Sequence, residues 1–269
     1  ITNIGEAHIE FFGTRDGILK EKSDIFKYIG ESGRAIVNGD DDKLCTLRGK
    51  LKNVLTYGLN ADNDIRGENV KDMGLEGMSF DIVYGGGRIT ATIPSPGIHM
   101  VMNSLCAAAV GLTLGIEPEL IKQGIESYAP VEGRMQIIKT QRLTLLDDSF
   151  NANPTSMAAA INIACRASGR TVLILGDMLE LGEKSAEYHR NMGKKAVECG
   201  ADIMIGKGPL MKNACEETER AGIETMHFDT SEDIMRTLDN CLRDGDTVLV
   251  KASHGTNLKD VAEYIKANF

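Results

Sequence analysis

The first part of the chain alternates short apolar runs with a polar helical stretch, which predicts an α/β arrangement. The opening residues predict the end of a buried strand, and Thr14 is placed to cap a helix that reaches Ile29. Two apolar runs bounded by turn residues predict strands at 34–38 and 53–57.

Between Asp64 and Pro94 the pattern changes to a regular alternation of apolar and polar side chains at 78–84 and 88–93. This period of two predicts strands, and the three glycines between them predict a tight turn, so we expect an antiparallel hairpin. A triple glycine can also form a phosphate-binding loop. That interpretation is disfavoured because such a loop precedes a helix, whereas here a strand follows.

After the hairpin, helices are predicted at 99–114 and 117–128, and 130–133 is the best candidate for a linker. Beyond it, short apolar strands alternate with helices, which indicates a mostly parallel sheet covered on both faces. Two strands are predicted within 136–146, a helix from Pro154, further strands at 171–175, 202–205, 224–228 and 247–250, and further helices at 183–199, 209–221, 231–242 and 257–268. Ligands of such sheets bind at the carboxyl ends of the strands.

The composition is that of a globular protein, with 269 residues, 42% of them hydrophobic and 26% charged. This length predicts two domains, which we place at 1–133 and 134–269. No apolar run is long enough to span a membrane. The formal net charge of −9, with no basic patch, argues against nucleic acid or an anionic membrane as the main partner.

The six cysteines are scattered and form no CxxC pair. We therefore favour reduced cysteines in a cytosolic protein over disulfides or a zinc site. The chain starts with Ile1 and shows no initiator Met and no signal peptide, so we expect either a processed chain or a piece of a longer protein.

Lys22 is placed between Ile18 and Ile25 in an apolar stripe of the predicted helix. A lysine in that place either keeps its amine in water at the end of an extended stem, or loses water and carries a reactive neutral amine. His8 follows the opening strand and is either a hydrogen-bonded loop residue or a ligand.

Polar side chains are concentrated from Asp147 to Ser156, directly after a predicted strand. Carboxylates suit the paired hydroxyls of a ribose, whereas amides and a helix start suit anions and peptide groups. Asn153 before Pro154 is also a good helix N-cap. The carboxylates at 38–41 are interpreted as an ordinary turn.

Motifs in the same order along nearly the whole chain resemble those of the Mur ligase family. They are Asn3 to Gly13 followed by Lys20 to Phe26, Val37 to Asp41, Gly97 to Asn103, Gly133-Arg134, Asp148 to Pro154, Leu175 to Gly182, and Val250 to His254. The runs DSFNANP and LGDMLELG are most similar to the dipeptide-adding member of the family.

The resemblance implies that 1–133 is the later part of a central ATP-binding α/β domain with an antiparallel hairpin region, and that 134–269 is a Rossmann-like, mostly parallel C-terminal domain. It implies an ATP-dependent amide ligase of peptidoglycan precursor synthesis, in which D-Ala-D-Ala is added to UDP-MurNAc-tripeptide through an acyl phosphate. ATP and Mg²⁺ are the implied cofactors. A cytoplasmic monomer without nucleic acid or membrane insertion is expected.

The resemblance also implies site residues. Lys22, as a carbamylated lysine, and His8 match catalytic and metal-binding positions. His99 and Asn103 match positions that contact adenine.

At the start of the second domain, Arg134 and Asp148 match positions that meet the phosphates and the ribose of ATP. The candidates for binding the incoming amino substrate are Asn151, Asn153, Lys251 and Ser253. The alternatives are a solvated lysine at the sheet edge for Lys251 and a helix-capping hydroxyl for Ser253.

The sequence departs from the family pattern at three positions. Met100 stands where asparagine is usual, Phe150 where tyrosine is usual, and His254 where arginine is usual. The sequence contains no GxxxxGK[ST] phosphate loop, so we expect that these 269 residues alone do not turn over ATP. Two alternatives remain: another Mur-type ligase, either one adding a single amino acid or one like folylpolyglutamate synthase, and a non-catalytic module that binds nucleotide or peptide.

Overall fold

The computed structural model describes residues 1–6 and 9–269, which form two compact units. Unit 1 comprises Ile1–Gly5 and Phe12–Ala129, and unit 2 comprises Glu6–Phe11 and Pro130–Phe269. Both units are α/β, as the pattern of apolar residues predicts.

Within the described residues, unit 1 is built on a five-stranded sheet in the order β1-β2-β3-β4-β5. The first three strands are parallel, and the last three are antiparallel. The strands are β1 (Ala35–Asn38), β2 (Val54–Gly58), β3 (Ile65–Asp72), β4 (Met78–Tyr84) and β5 (Gly87–Ile93). The first helices of the chain are α1 (Ile9–Phe12), α2 (Arg15–Ser23), α3 (Ile98–Thr113) and α4 (Pro118–Glu126).

The glycine-rich turn joins β4 and β5, so the predicted hairpin is confirmed. β3 was not predicted, because only Ile65 and Val70 of its eight residues are large and apolar. It is a strand because it lies between two others, and at Gly67 it passes close under α3: a Cβ there would come within 3.1 Å of Leu105 Cδ1. A polar strand held between neighbours leaves no clear signal in a single sequence.

Two predictions for the first 30 residues are wrong. The opening residues form no regular strand, although Asn38 donates from its backbone N to the O of Ile1 at 3.3 Å, and Ile4 is buried. The helix capped by Thr14 does begin there, since Thr14 Oγ1 accepts from the N–H of Gly17 at 3.1 Å. It ends at Ser23, however, and a 3₁₀ helix follows instead of further α-helix.

Unit 2 contains, within the described part of the chain, a six-stranded sheet in the order β10-β9-β8-β11-β7-β6. All neighbouring strands are parallel except β6 and β7, so the predicted Rossmann-like arrangement is confirmed. The strands are β6 (Gln136–Lys139), β7 (Thr144–Asp148), β8 (Thr171–Gly176), β9 (Ile203–Lys207), β10 (Glu224–Phe228) and β11 (Thr247–Lys251). The helices are α5 (Pro154–Cys165), α6 (Ser185–Cys199), α7 (Lys212–Arg220), α8 (Ser231–Cys241) and α9 (Lys259–Asn268).

The helices of unit 2 form two groups, with α5, α6 and α7 packed in one row and α8 against α9 in the other. The apolar side chains of β7, β8, β9 and β11 pack with α8 and α9 in one core. Because β11 lies between β7 and β8, the loops that follow these three strands emerge side by side at the carboxyl edge of the sheet. Such an edge, where the strand order reverses, is where ligands of open parallel sheets bind.

All six cysteines are free, as predicted; Cys215 and Cys241 are buried and the other four are half-buried. No helix among the described residues is long and apolar enough to cross a membrane.

Candidate functional site

Lys251 and Asp148 are the last residues of β11 and β7 and are direct partners in the ladder between these strands. The Nζ of Lys251 lies 2.6 Å from Oδ2 of Asp148 and donates to the O of Asn151 at 2.9 Å. Lys251 is only 2% exposed, so the alternative of a solvated lysine is wrong. Burial lowers the pKa of its amine, and the Asp148 carboxylate opposes this shift.

Ser253 joins the loops that follow three different strands. Its Oγ accepts from the N–H of Leu179 at 3.0 Å and donates to the O of Ala152 at 3.3 Å. The side chain caps no helix, so the helix-capping alternative is wrong. Both interactions hold neighbouring loops in place, and the predicted contact of Ser253 with substrate stays a prediction.

The two asparagines of the loop after β7 differ in whether their side chains are available to bind a ligand. Asn153 caps α5: its Oδ1 accepts from the N–H of Ser156 at 2.9 Å, which confirms the predicted N-cap. Asn151 is exposed, and its Oδ1 accepts from the N–H of Ala152 at 2.9 Å, which leaves the amide NH₂ directed to solvent or ligand. Asn151 is therefore the better placed of the two for a ligand.

Arg134 is presented by a turn that is attached to the end of β7. Its neighbours Gly133 and Met135 both have left-handed backbone conformations, with φ of +69° and +51°. The N–H of Met135 donates to Oδ1 of Asp148 at 2.9 Å, and the N–H of Phe150 donates to the O of Gly133 at 2.9 Å. A left-handed conformation at a non-glycine residue is costly and is typical of functional sites.

The guanidinium of Arg134 lies over the ring of Phe150, with Cζ 4.0 Å from the ring centroid. Across the described residues, no carboxylate forms an ion pair with it. Arg134 precedes the residue whose N–H is bound by Asp148, and its positive charge also lowers the pKa of the Lys251 amine, so two cations lie in the neighbourhood of this carboxylate. This local excess of positive charge suits an anionic ligand, in a chain whose overall charge is −9.

The segment 177–182 is held by buried polar groups that sequence reasoning missed. Asp177 accepts from the N–H of Met211 at 2.7 Å, and His189 Nε2 accepts from the N–H of Met178 at 2.9 Å. The Nδ1–H of His189 donates to the O of Ser185 at 2.6 Å. Burial lowers the pKa of His189, which keeps the ring neutral and able to accept. No sequence pattern links His189 to Met178, because the contact depends on tertiary packing.

In unit 1, Lys22 is exposed, so of the two alternatives for this lysine the amine in water is confirmed and the desolvated amine is wrong. Because α2 ends at Ser23 and a 3₁₀ helix has three residues per turn, the helical phase changes after Lys22. Ile18 is therefore buried while Ile25 is 64% exposed. The Nζ of Lys22 donates to the O of Asn3 at 3.3 Å. His8 lies outside the described residues.

His99 and Asn103 lie one turn apart on α3. Asn103 lines a cavity of about 530 Å³ between α3 and α4, together with Met100, Ile121 and Tyr128. A volume of this size and a mostly apolar lining with a few polar groups are typical of sites for small organic ligands. His99 is half-buried and does not line this cavity among the described residues.

Metal-ligating side chains do not converge in the part of the chain that the structure describes: no group of three His, Cys, Asp or Glu residues could hold an ion there. The predicted magnesium site at Lys22 and His8 therefore stays a prediction.

Comparison with known proteins accounts for both units. Residues 1–111 match the Mur ligase middle domain, and residues 133–254 match the domain described as Mur ligase, glutamate ligase domain. The chain belongs to the Mur ligase family. This confirms the resemblance seen in the sequence motifs and extends it over most of the chain.

Two curated Mur ligases illustrate the relationship. The UDP-N-acetylmuramoyl-tripeptide--D-alanyl-D-alanine ligase of Bacillus subtilis is 33% identical over 98% of the chain, and that of Escherichia coli is 30% identical over 100% of it. The chain spans 58% and 60% of the lengths of these two relatives.

Solved structures agree with this family membership. MurF from Acinetobacter baumannii superimposes over 100% of the chain and 59% of its own length, with a TM-score of 0.90 and 28% identity. MurF ligase from Thermotoga maritima, solved in complex with ADP, covers 98% of the chain and 60% of its own length, with a TM-score of 0.84 and 25% identity.

Proposed function

We propose that this Mur ligase chain serves ATP-dependent amide bond formation in peptidoglycan precursor synthesis, adding D-Ala-D-Ala to UDP-MurNAc-tripeptide. The observation that carries the proposal is the 33% identity, over 98% of the chain, to a ligase named for that reaction. In the proposed reaction the γ-phosphoryl group of ATP moves to the carboxylate of the tripeptide and ADP is formed. The amine of D-Ala-D-Ala then attacks the acyl carbon, the amide forms, and inorganic phosphate leaves.

For the nucleotide, we assign the phosphates to Arg134 and the ribose hydroxyls to Asp148. The guanidinium without a carboxylate partner supports the first assignment, and a carboxylate held by Lys251 at a strand end supports the second. Adenine is assigned to His99 and Asn103. The cavity beside Asn103 supports the assignment of Asn103 alone, because it is large enough for a purine ring and His99 does not line it among the described residues.

For the incoming amine, we assign the loop after β7 as the binding edge, with the predicted residues Asn151, Asn153, Lys251 and Ser253. Asn151 offers an exposed amide, while the buried Lys251 and Ser253 donate to the carbonyls of Asn151 and Ala152. This arrangement supports a loop whose shape is set before the substrate arrives. A preformed loop lowers the entropy cost of orienting the amine.

Mg²⁺ is proposed to accompany ATP, where it would neutralise phosphate charge. Its predicted ligands are His8 and a carbamylated Lys22. The exposed Lys22 amine is open to CO₂, but the described residues do not form a metal site without that modification, so no step is derived through the ion. A monomer in the cytoplasm is the proposed setting, as the family resemblance implies.

The proposal is tested by incubating the protein with ATP, UDP-MurNAc-tripeptide and D-Ala-D-Ala, and measuring phosphate release and the mass of the UDP-linked product. The 269-residue chain is assayed alone and together with the portion of the Bacillus subtilis ligase that it does not span. We expect a product heavier by the dipeptide, formed only when all three substrates and both portions are present. A product formed from a single amino acid instead of the dipeptide would contradict the substrate assignment.

A further inference from the structure

We propose that Phe150 is a positioning residue, whose ring holds the guanidinium of Arg134 in place for a phosphate group of the nucleotide. The inference rests on the proposed function and adds a residue that neither the sequence motifs nor the comparisons assign to the site. Phe150 itself touches no reacting atom and acts through Arg134.

The first support is the state of the arginine. Arg134 is exposed and makes no ion pair within the described residues, and its guanidinium lies against the ring of Phe150 instead of a carboxylate. A free arginine side chain loses rotamer entropy when a ligand fixes it. A ring 4.0 Å from Cζ removes part of that freedom in advance.

The second support is the geometry of the contact. The central carbon of the guanidinium lies over the face of the phenyl ring, 4.0 Å from its centroid. A phenyl ring carries no negative charge and no oxygen acceptor, so this contact restricts the group without neutralising it and leaves its five N–H donors for phosphate. A carboxylate partner would do the opposite, because it would neutralise the charge and occupy two donors.

The third support is that the backbone joins the two side chains. The N–H of Phe150 donates to the O of Gly133, the residue before Arg134, at 2.9 Å. A Cβ at Gly133 would come within 3.2 Å of the backbone N of Phe150, so the two segments approach closely only with glycine there. The two backbone segments that carry the ring and the guanidinium are thus held side by side.

The ring is also contacted from the loop that follows β11. The imidazole of His254 lies with its centroid 5.7 Å from that of Phe150, at an angle of 41°. Phe150 is nevertheless 44% exposed, which is a large exposure for a phenyl ring in a structured loop. An exposed ring between a guanidinium and an imidazole is consistent with a role at a binding surface rather than in the core.

The test compares ADP with adenosine, because only ADP carries phosphate. Binding of each to the 269-residue chain is measured by calorimetry for the parent, Phe150→Leu, Phe150→Tyr and Arg134→Ala. We expect Phe150→Leu to weaken ADP binding about two- to five-fold and to leave adenosine binding unchanged, while Phe150→Tyr keeps parent affinity. In the Arg134→Ala background, Phe150→Leu has no further effect.

A matched control is available in the same unit, where Arg142 lies over Phe269 with Cζ 5.2 Å from the ring centroid. Phe269→Leu removes that ring at the other end of β7 and is expected to leave ADP binding unchanged. If Phe150→Leu binds ADP as tightly as the parent, or weakens the binding of ADP and of adenosine equally, Phe150 has no positioning role. The assignment of Arg134 to the phosphates would still stand in that case. If Arg134→Ala binds ADP as tightly as the parent, or if the parent itself binds ADP no more tightly than adenosine, the proposed function of Arg134 fails as well.

Discussion

The amine of Lys251 and the carboxylate of Asp148 face each other across two adjacent parallel strands, 2.6 Å apart. The same amine donates to the O of Asn151, so one buried cation contacts both the carboxylate assigned to the ribose and the loop assigned to the amino substrate. A change at Lys251 is therefore expected to disturb both halves of the site together.

Lys251→Met should destabilise unit 2 by about 3 kcal/mol, because it leaves Asp148, whose side chain is 16% exposed, without its buried partner. Urea denaturation followed by circular dichroism measures this loss. Lys259→Met is the control, since Lys259 pairs with Glu132 at the surface and such pairs contribute little. Equal midpoints for Lys251→Met and the parent would show that the buried pair does not stabilise the fold.

Ser253→Ala should loosen the segment after β8. The substitution leaves the N–H of Leu179 and the O of Ala152 without their shared hydroxyl, which costs about 1 to 3 kcal/mol. Hydrogen exchange measured by NMR is expected to become faster at the Leu179 amide, while amides in the middle of β9 keep their rates. Unchanged exchange at Leu179 would contradict the role of Ser253 in joining the loops.

His189→Gln should remove part of the pH dependence of stability. Because burial lowers the pKa of His189, the unfolded chain binds a proton near its usual pKa of about 6.5 before the folded chain does. The stability that the neutral ring contributes is fully present at a pH above this unfolded-state pKa. It falls as the pH decreases below that value. Comparing denaturation at neutral pH and near pH 5, we expect the parent to lose more stability than His189→Gln, whose amide does not titrate.

Asp177 is the charged group that opposes this shift, because its carboxylate favours the protonated ring. Asp177 also accepts from the backbone of Met211, so its own replacement would disturb the fold and is not a suitable control. An identical pH dependence in the parent and in His189→Gln would exclude His189 as the titrating group.

Lys22→Ala should reduce turnover severely. The assay is the one proposed above, in which this chain is combined with the part of the Bacillus subtilis ligase that it does not span. The expected reason is loss of the carbamylated side chain, so short carboxylic acids should partly restore activity and bicarbonate should not. Lys20→Ala is the control, as Lys20 is a second exposed lysine on the same helix. Near-normal turnover of Lys22→Ala would contradict the predicted catalytic role.

Residues 134–269 should fold without the rest of the chain. Their six strands form one sheet, and the apolar core of that sheet draws on residues from Leu143 to Phe269. A cooperative thermal transition is expected for a chain limited to these residues. A gradual change without a transition would indicate that the fold depends on the preceding unit.

Local patterns were enough to predict most elements and some of the site. Three predictions made from local patterns are confirmed: the hairpin of β4 and β5, the N-cap at Asn153 and the mostly parallel sheet of unit 2. The site residues that follow the strands could be found because carboxyl ends of parallel strands meet at one edge.

Features that depend on distant contacts could not be found in this way. Lys251 and Ser253 were expected to contact substrate, but their polar atoms reach groups about 100 residues away in the chain. The alternative of a buried Lys22 depended on a helical phase that ends at Ser23. Nothing in the local sequence shows where an α-helix gives way to a 3₁₀ helix, or which loop a buried amine will contact.

The position of β11 has a consequence for synthesis of the protein. Among the described strands of unit 2, the one that pairs with both β7 and β8 is the last to be synthesised. Until residues 247–251 emerge, β7 and β8 each lack a partner along an apolar edge, and the nascent unit exposes surfaces prone to aggregation. A chain that stops before this strand leaves the two halves of the sheet unjoined, with the apolar edges of β7 and β8 uncovered.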